Sequence, residues 1–375
     1  MTRTRLERVR EALAEAELDG IIISSPVDDV FGNQSANRRW ISGFSGSTGY
    51  ALVTLEGAWF VADFRYTEQA GTECGPLGYE IFPRAGAMSD WWPELCRTAG
   101  LAGMDLGFSG ADFSLEEYEE FLEAAREMEA GAPKLVPHSG MIEDMRTAKD
   151  AAEMASLQRA IDVADAAMAE VQHRARPDMT ERELALVVEQ QVRLAGGDGI
   201  SFATIVAAGP AGAMPHASPT DAVLGEGRPI VVDMGARVDG YCSDLTRTFV
   251  IGEPDATFRE VYDIVFAAQA NAIDKVESGM SGKAAHELAS SVIEAAGYGE
   301  QFGHGLGHGV GLQVHEHPYL GRTAEGTLEE GMVFTIEPGI YLPGWGGVRI
   351  EDVVVLENGR ARVLSHAPKM MPAGV

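Results

Sequence analysis

The sequence predicts a mixed α/β (α+β) protein of two domains, on three observations. Its length of 375 residues exceeds one ordinary domain and is enough to bury a full core. Short apolar runs alternate with segments of 3.6-residue periodicity along the whole chain. A turn-rich stretch, Ala132-Pro-Lys-Leu-Val-Pro-His-Ser-Gly140, then interrupts that alternation.

Residues 1 to about 18 read as an amphipathic helix that stops near Gly20, and Gly20-Ile-Ile-Ile-Ser24 follows as a buried strand. Tyr50-Ala-Leu-Val-Thr54 and Ala58-Trp-Phe-Val-Ala62 are two further strands. Ser114 opens a helix with an acidic face of Glu116, Glu117, Glu119 and Glu120. These elements make a first domain over 1–135, with 136–150 as a linker and 151–375 as a larger second domain. The second domain begins on a helix, because Met154, Leu157, Ile161, Ala164, Met168 and Val171 recur at spacings of three and four. Thr180-x-x-Glu183 and Thr257-x-x-Glu260 have the form of capping boxes ahead of two more helices. A fourth helix runs from about Ser281 to Gly297, and strands are expected at 202–208, 229–234, 243–251, 332–337 and 348–356.

Composition narrows the function. Asp and Glu number 57 against 29 Lys and Arg, a formal net charge of −28, which repels phosphate backbones and speaks against nucleic acid as a partner. Three cysteines, Cys74, Cys96 and Cys242, lie far apart, which excludes a disulfide framework and a thiolate zinc site. The N-terminus carries no apolar signal segment and no run approaches a membrane span. A soluble, cytoplasmic protein with no membrane partner is therefore expected.

One pattern occurs twice in the second domain. Arg228-Pro-Ile-Val-Val-Asp233-Met-Gly235 is an apolar strand, an acid and x-Gly, and Gly331-Met-Val-Phe-Thr-Ile-Glu337-Pro-Gly339 has the same form. Each continues through a turn to a return strand with another acid, Asp244 eleven residues on and Glu351 fourteen residues on. A hairpin can turn both carboxylates of a pair to one face of a sheet. Four carboxylates aimed at one place cannot all stay ionised without cations.

Between the two acid pairs lies Gly303-His-Gly-Leu-Gly-His-Gly-Val-Gly-Leu-Gln-Val-His-Glu-His317, with four of the nine histidines. Its alternating glycines exclude a helix, so His304 and His308 are no helical zinc pair. It fits neither a dinucleotide fingerprint nor a phosphate loop. Four carboxylates and one imidazole make an oxygen-rich donor set with room for two divalent ions about 3.5–4 Å apart. Donors of this kind favour Mn²⁺ and accept Co²⁺, Zn²⁺ or Fe²⁺, and the chemistry of such a pair is hydrolysis.

The order Asp233, Asp244, His308, Glu337, Glu351, with His-Gly-Leu-Gly-His-Gly-Val-Gly-Leu and Thr-Ile-Glu-Pro-Gly-Ile-Tyr, resembles the five-ligand signature of the pita-bread metallopeptidases. That family includes methionine aminopeptidase, aminopeptidase P and prolidase. The resemblance spans essentially the whole chain. It implies a creatinase/prolidase-like N-terminal domain, concerned with substrate access and dimerisation, before a pita-bread domain of two pseudo-twofold halves. It also implies that Asp233 ligates one metal, His308 and Glu337 the other, and Asp244 and Glu351 both. Glu337 would serve as general base, and His216 and His315 would hydrogen-bond the substrate carbonyl and the tetrahedral centre. His304, Tyr341 and Arg349 match positions around the proline pocket, although Arg349, two residues before Glu351, could equally pair with a ligand acid.

The N-terminal motifs Trp40-Ile-Ser-Gly-Phe-Ser-Gly-Ser-Thr-Gly49 and Val61-Ala-Asp-Phe-Arg-Tyr-Thr-Glu-Gln69 look most like small bacterial aminopeptidase P. The expected activity is cleavage after the first residue of Xaa-Pro peptides, by a homodimer acting on small proline-containing peptides. The alternative is prolidase, which splits Xaa-Pro dipeptides and must hold the free proline carboxylate. Candidate cations for that are Arg38, Arg39 and Arg65, although Arg65 could simply pair with Asp63. A non-catalytic peptide-binding module is disfavoured because no ligand position is missing. His317 has no assigned role, and His138, His173, His286 and His366 are expected at the surface.

Overall fold

The computed structural model describes residues 3–24, 35–128 and 131–369. Two compact units divide it, Met1–Arg146 and Thr147–Val375.

In the first unit, Thr4 and Glu7 form a reciprocal cap on α1 (Arg5–Glu15). The chain then runs through β1 (Gly20–Ile23), α2 (Ala36–Ser42), β2 (Tyr50–Thr54), β3 (Ala58–Ala62), α3 (Thr67–Glu73), β4 (Glu80–Pro83), α4 (Met88–Thr98), β5 (Asp105–Phe108), α5 (Leu115–Arg126), β6 (Lys134–Pro137) and α6 (Met141–Thr147). The strands form one sheet in the order β4-β3-β2-β1-β5-β6. Central β1 and β2 are buried along their whole length, as uninterrupted apolar runs require. Ile22, Leu52, Trp92 and Phe121 share the core, with the Trp92 and Phe121 rings perpendicular at 4.8 Å.

The segment expected as a linker over 136–150 is largely ordered. Lys134–Pro137 pairs in parallel with β5, and α6 follows it. Pro133 and Pro137 have the look of turn residues, but proline is tolerated where a strand lies at the sheet edge, as β6 does.

The second unit repeats one order of elements. Its first half is α7 (Ala151–Arg174), α8 (Glu181–Leu194), β7 (Gly199–Ile200), β8 (Ile205–Ala208), β9 (Pro229–Met234), β10 (Ala236–Val238), β11 (Tyr241–Cys242) and β12 (Leu245–Val250). Its second half is α9 (Ala256–Lys275), α10 (Gly282–Ala295), β13 (Gly307–Gly309), β14 (Glu316–Leu320), β15 (Val333–Ile336), β16 (Gly339–Leu342), β17 (Gly346–Arg349), β18 (Asp352–Glu357) and β19 (Arg360–Val363). Asp150, Thr180 and Ser281 cap α7, α8 and α10 with their side chains. Helix α9 is capped by Asp255, not Thr257, since the Asp255 side chain accepts from the Phe258 amide two residues sooner than the expected box. The strand expected over 348–356 breaks at Ile350–Glu351, where the chain leaves β16 and joins β15. His286 is buried at 2% exposure, because it falls on the apolar stripe of Ala285, Ala289 and Ile293 in α10. His173 and His366 are exposed and His138 is half-buried.

Candidate metal centre

Each half of the second unit delivers its acids in the same way. Strands β9 and β12 pair antiparallel, with Asp233 opposite Thr246, and the β10–β11 hairpin between them returns the chain to Asp244. Strands β15 and β18 pair likewise, and the β16–β17 hairpin separates Glu337 from Glu351. His308 comes from β13, which lies beside β15 through Gly309 and Phe334. A glycine at 307 is needed for that approach, because a Cβ there would stand 2.0 Å from the Thr335 carbonyl oxygen.

These placements bring the five donors together. His308 Nε2 is 3.5 Å from Asp244 Oδ2 and 3.3 Å from Glu337 Oε1. Ligand atoms of Asp244, His308 and Glu351 lie within 4.8 Å of one another. His308 Nδ1 is 3.1 Å from the Gly309 carbonyl oxygen. With Nδ1 donating there, Nε2 is the ring nitrogen aimed at the acids: protonated, it donates to Glu337, and on losing that proton it can take a cation instead. Asp233 Oδ2 accepts from Arg349 Nη2 at 2.5 Å, while its Oδ1 is buried with no hydrogen-bond partner among the described residues.

The electrostatics of the site call for positive charge. Burial, then the charges of Glu351, Asp233 and Glu337, hold Asp244 well above the usual carboxylate range. Glu351 is raised in the same way by burial, Glu337 and Asp233, and Asp233 by burial against the pull of Arg349. Glu337 is the exception. Burial opposes its ionisation, but the His308 hydrogen bond and charge outweigh it, and the carboxyl is lowered. An orphaned carboxylate oxygen and three mutually repelling acids beside an open imidazole nitrogen fit divalent cations.

The remaining predicted residues surround this group. The His315 ring lies 4.2 Å from that of His308. Partial burial, then His308, pushes His315 down to about 4, so it is neutral at pH 7. His304 Nε2 is 3.0 Å from Tyr341 Oη, which accepts from Arg349 Nη1 at 2.9 Å. Burial, then Arg349, outweighs the pull of Glu337 and lowers His304. His216 is exposed and lies near enough to His304 and His315 to interact with both. Of the two roles open to Arg349, the structure shows the ion pair with Asp233. His317 is exposed and turns its ring to Tyr319.

A model of metallopeptidase family M24 matches residues 155–358, and a model of the creatinase/prolidase N-terminal domain matches residues 5–148. The chain belongs to metallopeptidase family M24. It is 37% identical to an uncharacterized peptidase of Bacillus subtilis, over 97% of this chain and 98% of that one. A Xaa-Pro dipeptidase from Bacillus anthracis superimposes with a TM-score of 0.90 at 36% identity, covering 98% of both chains. An X-Pro aminopeptidase from Thermotoga maritima does so with a TM-score of 0.86 at 33% identity, covering 98% of this chain and 99% of the other. This M24 chain is thus a metallopeptidase of the Xaa-Pro peptidase group, with the creatinase-like and M24 domains that the sequence motifs implied.

Two threonines around the M24 centre are not among the residues expected from the sequence. Thr246 donates to Glu351 Oε2 at 2.7 Å and accepts from Arg349 Nε at 3.1 Å. Thr335 donates to Glu337 Oε1 at 3.2 Å and accepts from the His308 amide at 3.1 Å. Each lies two residues from an acid of the site, Asp244 or Glu337, so the two-residue alternation of a strand could have revealed both.

Proposed function

We propose that this M24 chain is a dinuclear metallopeptidase that removes the first residue from peptides with proline second. The observation that carries this is the convergence of Asp233, Asp244, His308, Glu337 and Glu351, with Asp233 Oδ1 buried and unpartnered. Asp233 would hold one ion, His308 and Glu337 the other, and Asp244 and Glu351 both. Mn²⁺ suits this donor set best. When bound, a divalent pair activates water and polarises the scissile carbonyl.

The residues of the chain supply the rest. Glu337, the site carboxyl held below its usual range, would take the proton of the attacking water. His315, neutral at pH 7, offers an N–H to the developing oxyanion, and His216 approaches from the exposed side. His304, Tyr341 and Arg349 form a linked edge against which the proline would rest. The N-terminal unit is assigned substrate access and homodimerisation on the family resemblance alone.

A second reading, Xaa-Pro dipeptidase, is favoured by the name of the Bacillus anthracis relative. Two of the three arginines considered for its carboxylate clamp are committed elsewhere. Arg38 is fully buried and brackets a turn through the Gly46 and Gly49 carbonyls, and Arg65 pairs with Asp63 through two bonds. Comparing Ala-Pro with Ala-Pro-Ala separates the two. Faster cleavage of the tripeptide supports the aminopeptidase, and cleavage of the dipeptide alone replaces it with the dipeptidase.

A further inference from the structure

Lys149 and Glu316 form a buried ion pair that takes no part in the donor set. Lys149 Nζ lies 2.6 Å from Glu316 Oε1, and the two side chains are 1% and 7% exposed. Nζ also donates to the Thr147 carbonyl at 3.0 Å, and the Lys149 amide donates to the Gly331 carbonyl at 2.9 Å. The residue is therefore anchored at its backbone and at its tip. Compared with apolar side chains of similar volume, such a pair adds little stability, whereas loss of one partner leaves a buried charge uncompensated. Its contribution has to be sought in the geometry it enforces.

That geometry is the loop that carries His315. Glu316 opens β14 directly after His315, and β13 at the other end of the loop carries His308. The β13–β14 register slips between His308 and Gly309, so Gly309 faces Glu316 while His308 faces Tyr319. The Gln313 amide donates to Glu316 Oε2 at 3.4 Å, and the Gly311 carbonyl accepts from the Cys242 amide at 2.7 Å. A Cβ at Gly311 would stand 2.4 Å from Glu316 Oε1, so the carboxylate rests directly against the loop backbone. Glu316 thereby staples the loop between the two histidines, and Lys149 holds the staple.

We propose that Lys149, acting through Glu316, is the positioning residue that sets His315 beside the metal centre. This rests on the role given to His315 under Proposed function. A shift of about 1 Å in a group that must meet the transition state costs on the order of 100-fold in rate. Lys149 touches no ligand acid, so its loss should slow turnover and leave metal binding intact.

The test compares wild type, Lys149→Met, Glu316→Gln, His315→Ala and the Lys149→Met/His315→Ala double variant. All are loaded with Mn²⁺ and assayed on Ala-Pro-Ala and Ala-Pro, with metal content measured and amide hydrogen exchange followed over residues 310–316. Lys149→Met should lower kcat about 10- to 100-fold, with KM and metal content little changed. In the His315→Ala background the same substitution should cost nothing further. Exchange should quicken in the loop and stay unchanged in α9 and α10. Wild-type kcat in Lys149→Met overturns the proposal, as does an equal loss in both backgrounds, the mark of a purely structural role. Should Lys149→Met fail to fold, the milder Glu316→Gln is judged by the same criteria. If wild type cleaves neither peptide, the proposed function fails instead. Loop exchange then decides alone, and unchanged protection at 310–316 overturns the positioning role.

Discussion

Two of the places where the chain buries carboxylates are built on opposite terms. In the N-terminal unit Asp112 accepts from Ser35 Oγ at 3.0 Å and Asn37 Nδ2 at 2.8 Å. Glu143 accepts from Asn37 Nδ2 at 2.8 Å, and Asn37 Oδ1 in turn accepts from Arg146 Nη1 at 2.7 Å. Both oxygens of Asp112 have donors there. In the second unit the charges of Asp233, Asp244 and Glu351 act on one another, and Asp233 Oδ1 has no hydrogen-bond donor among the described residues. Burial of acids therefore does not mark a site by itself. What marks it is a cluster of acids buried without enough donors, which protons or cations must neutralise.

Substitutions can sharpen or break that contrast, starting with the largest effect. Glu337→Ala should lower kcat by about 1000-fold, as expected for loss of a general base, with the circular dichroism spectrum unchanged. His308→Ala should abolish hydrolysis and also lower metal content. Full activity in either variant with unchanged metal content would remove the catalytic unit from the comparison. In the N-terminal cluster, Asp112→Ala strands the Ser35 and Asn37 donors and should cost about 1–3 kcal/mol in urea denaturation, without changing turnover per folded molecule. Asp244→Asn should do the reverse. It relieves repulsion, so the metal-free protein should gain about 1 kcal/mol while metal binding is lost. Destabilisation of the metal-free protein by that change would show that the acids do not repel.

The smallest effect concerns pH. Burial raises the Asp112 carboxyl to about 6, against the hydrogen bonds from Asn37 and Ser35. Between about 4 and 6 the folded state thus binds more protons than the unfolded chain, so stability falls as pH rises through that window. The slope from this group is at most about 1.4 kcal/mol per pH unit. Asp112→Asn should remove it equally with and without Mn²⁺. The three raised site carboxylates, Asp233, Asp244 and Glu351, add a slope of the same sign only in the metal-free protein, because bound cations favour their ionised forms. A metal-dependent effect of Asp112→Asn would contradict the separation of the two clusters.

Much of this is legible in the sequence because it is local. Apolar periodicity locates α7, a capping box locates α8, and the repeated strand-acid-turn pattern locates all four acids. Which partner a residue takes across a long separation is not legible, although strand alternation from Asp244 reaches Thr246 and an ion pair with a site acid is one of the roles expected of Arg349. Thr246 meets Glu351 across 105 positions, Arg349 meets Asp233 across 116, and Lys149 meets Glu316 across 167. No periodicity encodes such pairings, since they depend on how the two halves pack. His286 shows the converse error, for its position on the α10 stripe is readable and the expectation of exposure rests on its polarity alone. The boundary between the two units falls inside the 136–150 segment expected as a linker, but the strand at its start is hidden, because proline at a sheet edge has the same local signature as proline in a linker.

The site as proposed makes hydrolysis of a Xaa-Pro bond depend on divalent ions held by Asp233, Asp244, His308, Glu337 and Glu351. The most direct test of this is Ala-Pro-Ala and Ala-Pro turnover by metal-stripped protein titrated with Mn²⁺, with bound metal counted at each point. The account predicts no turnover when stripped and recovery that is complete as the second ion binds. Undiminished turnover by the stripped protein, or none at full occupancy, would contradict it.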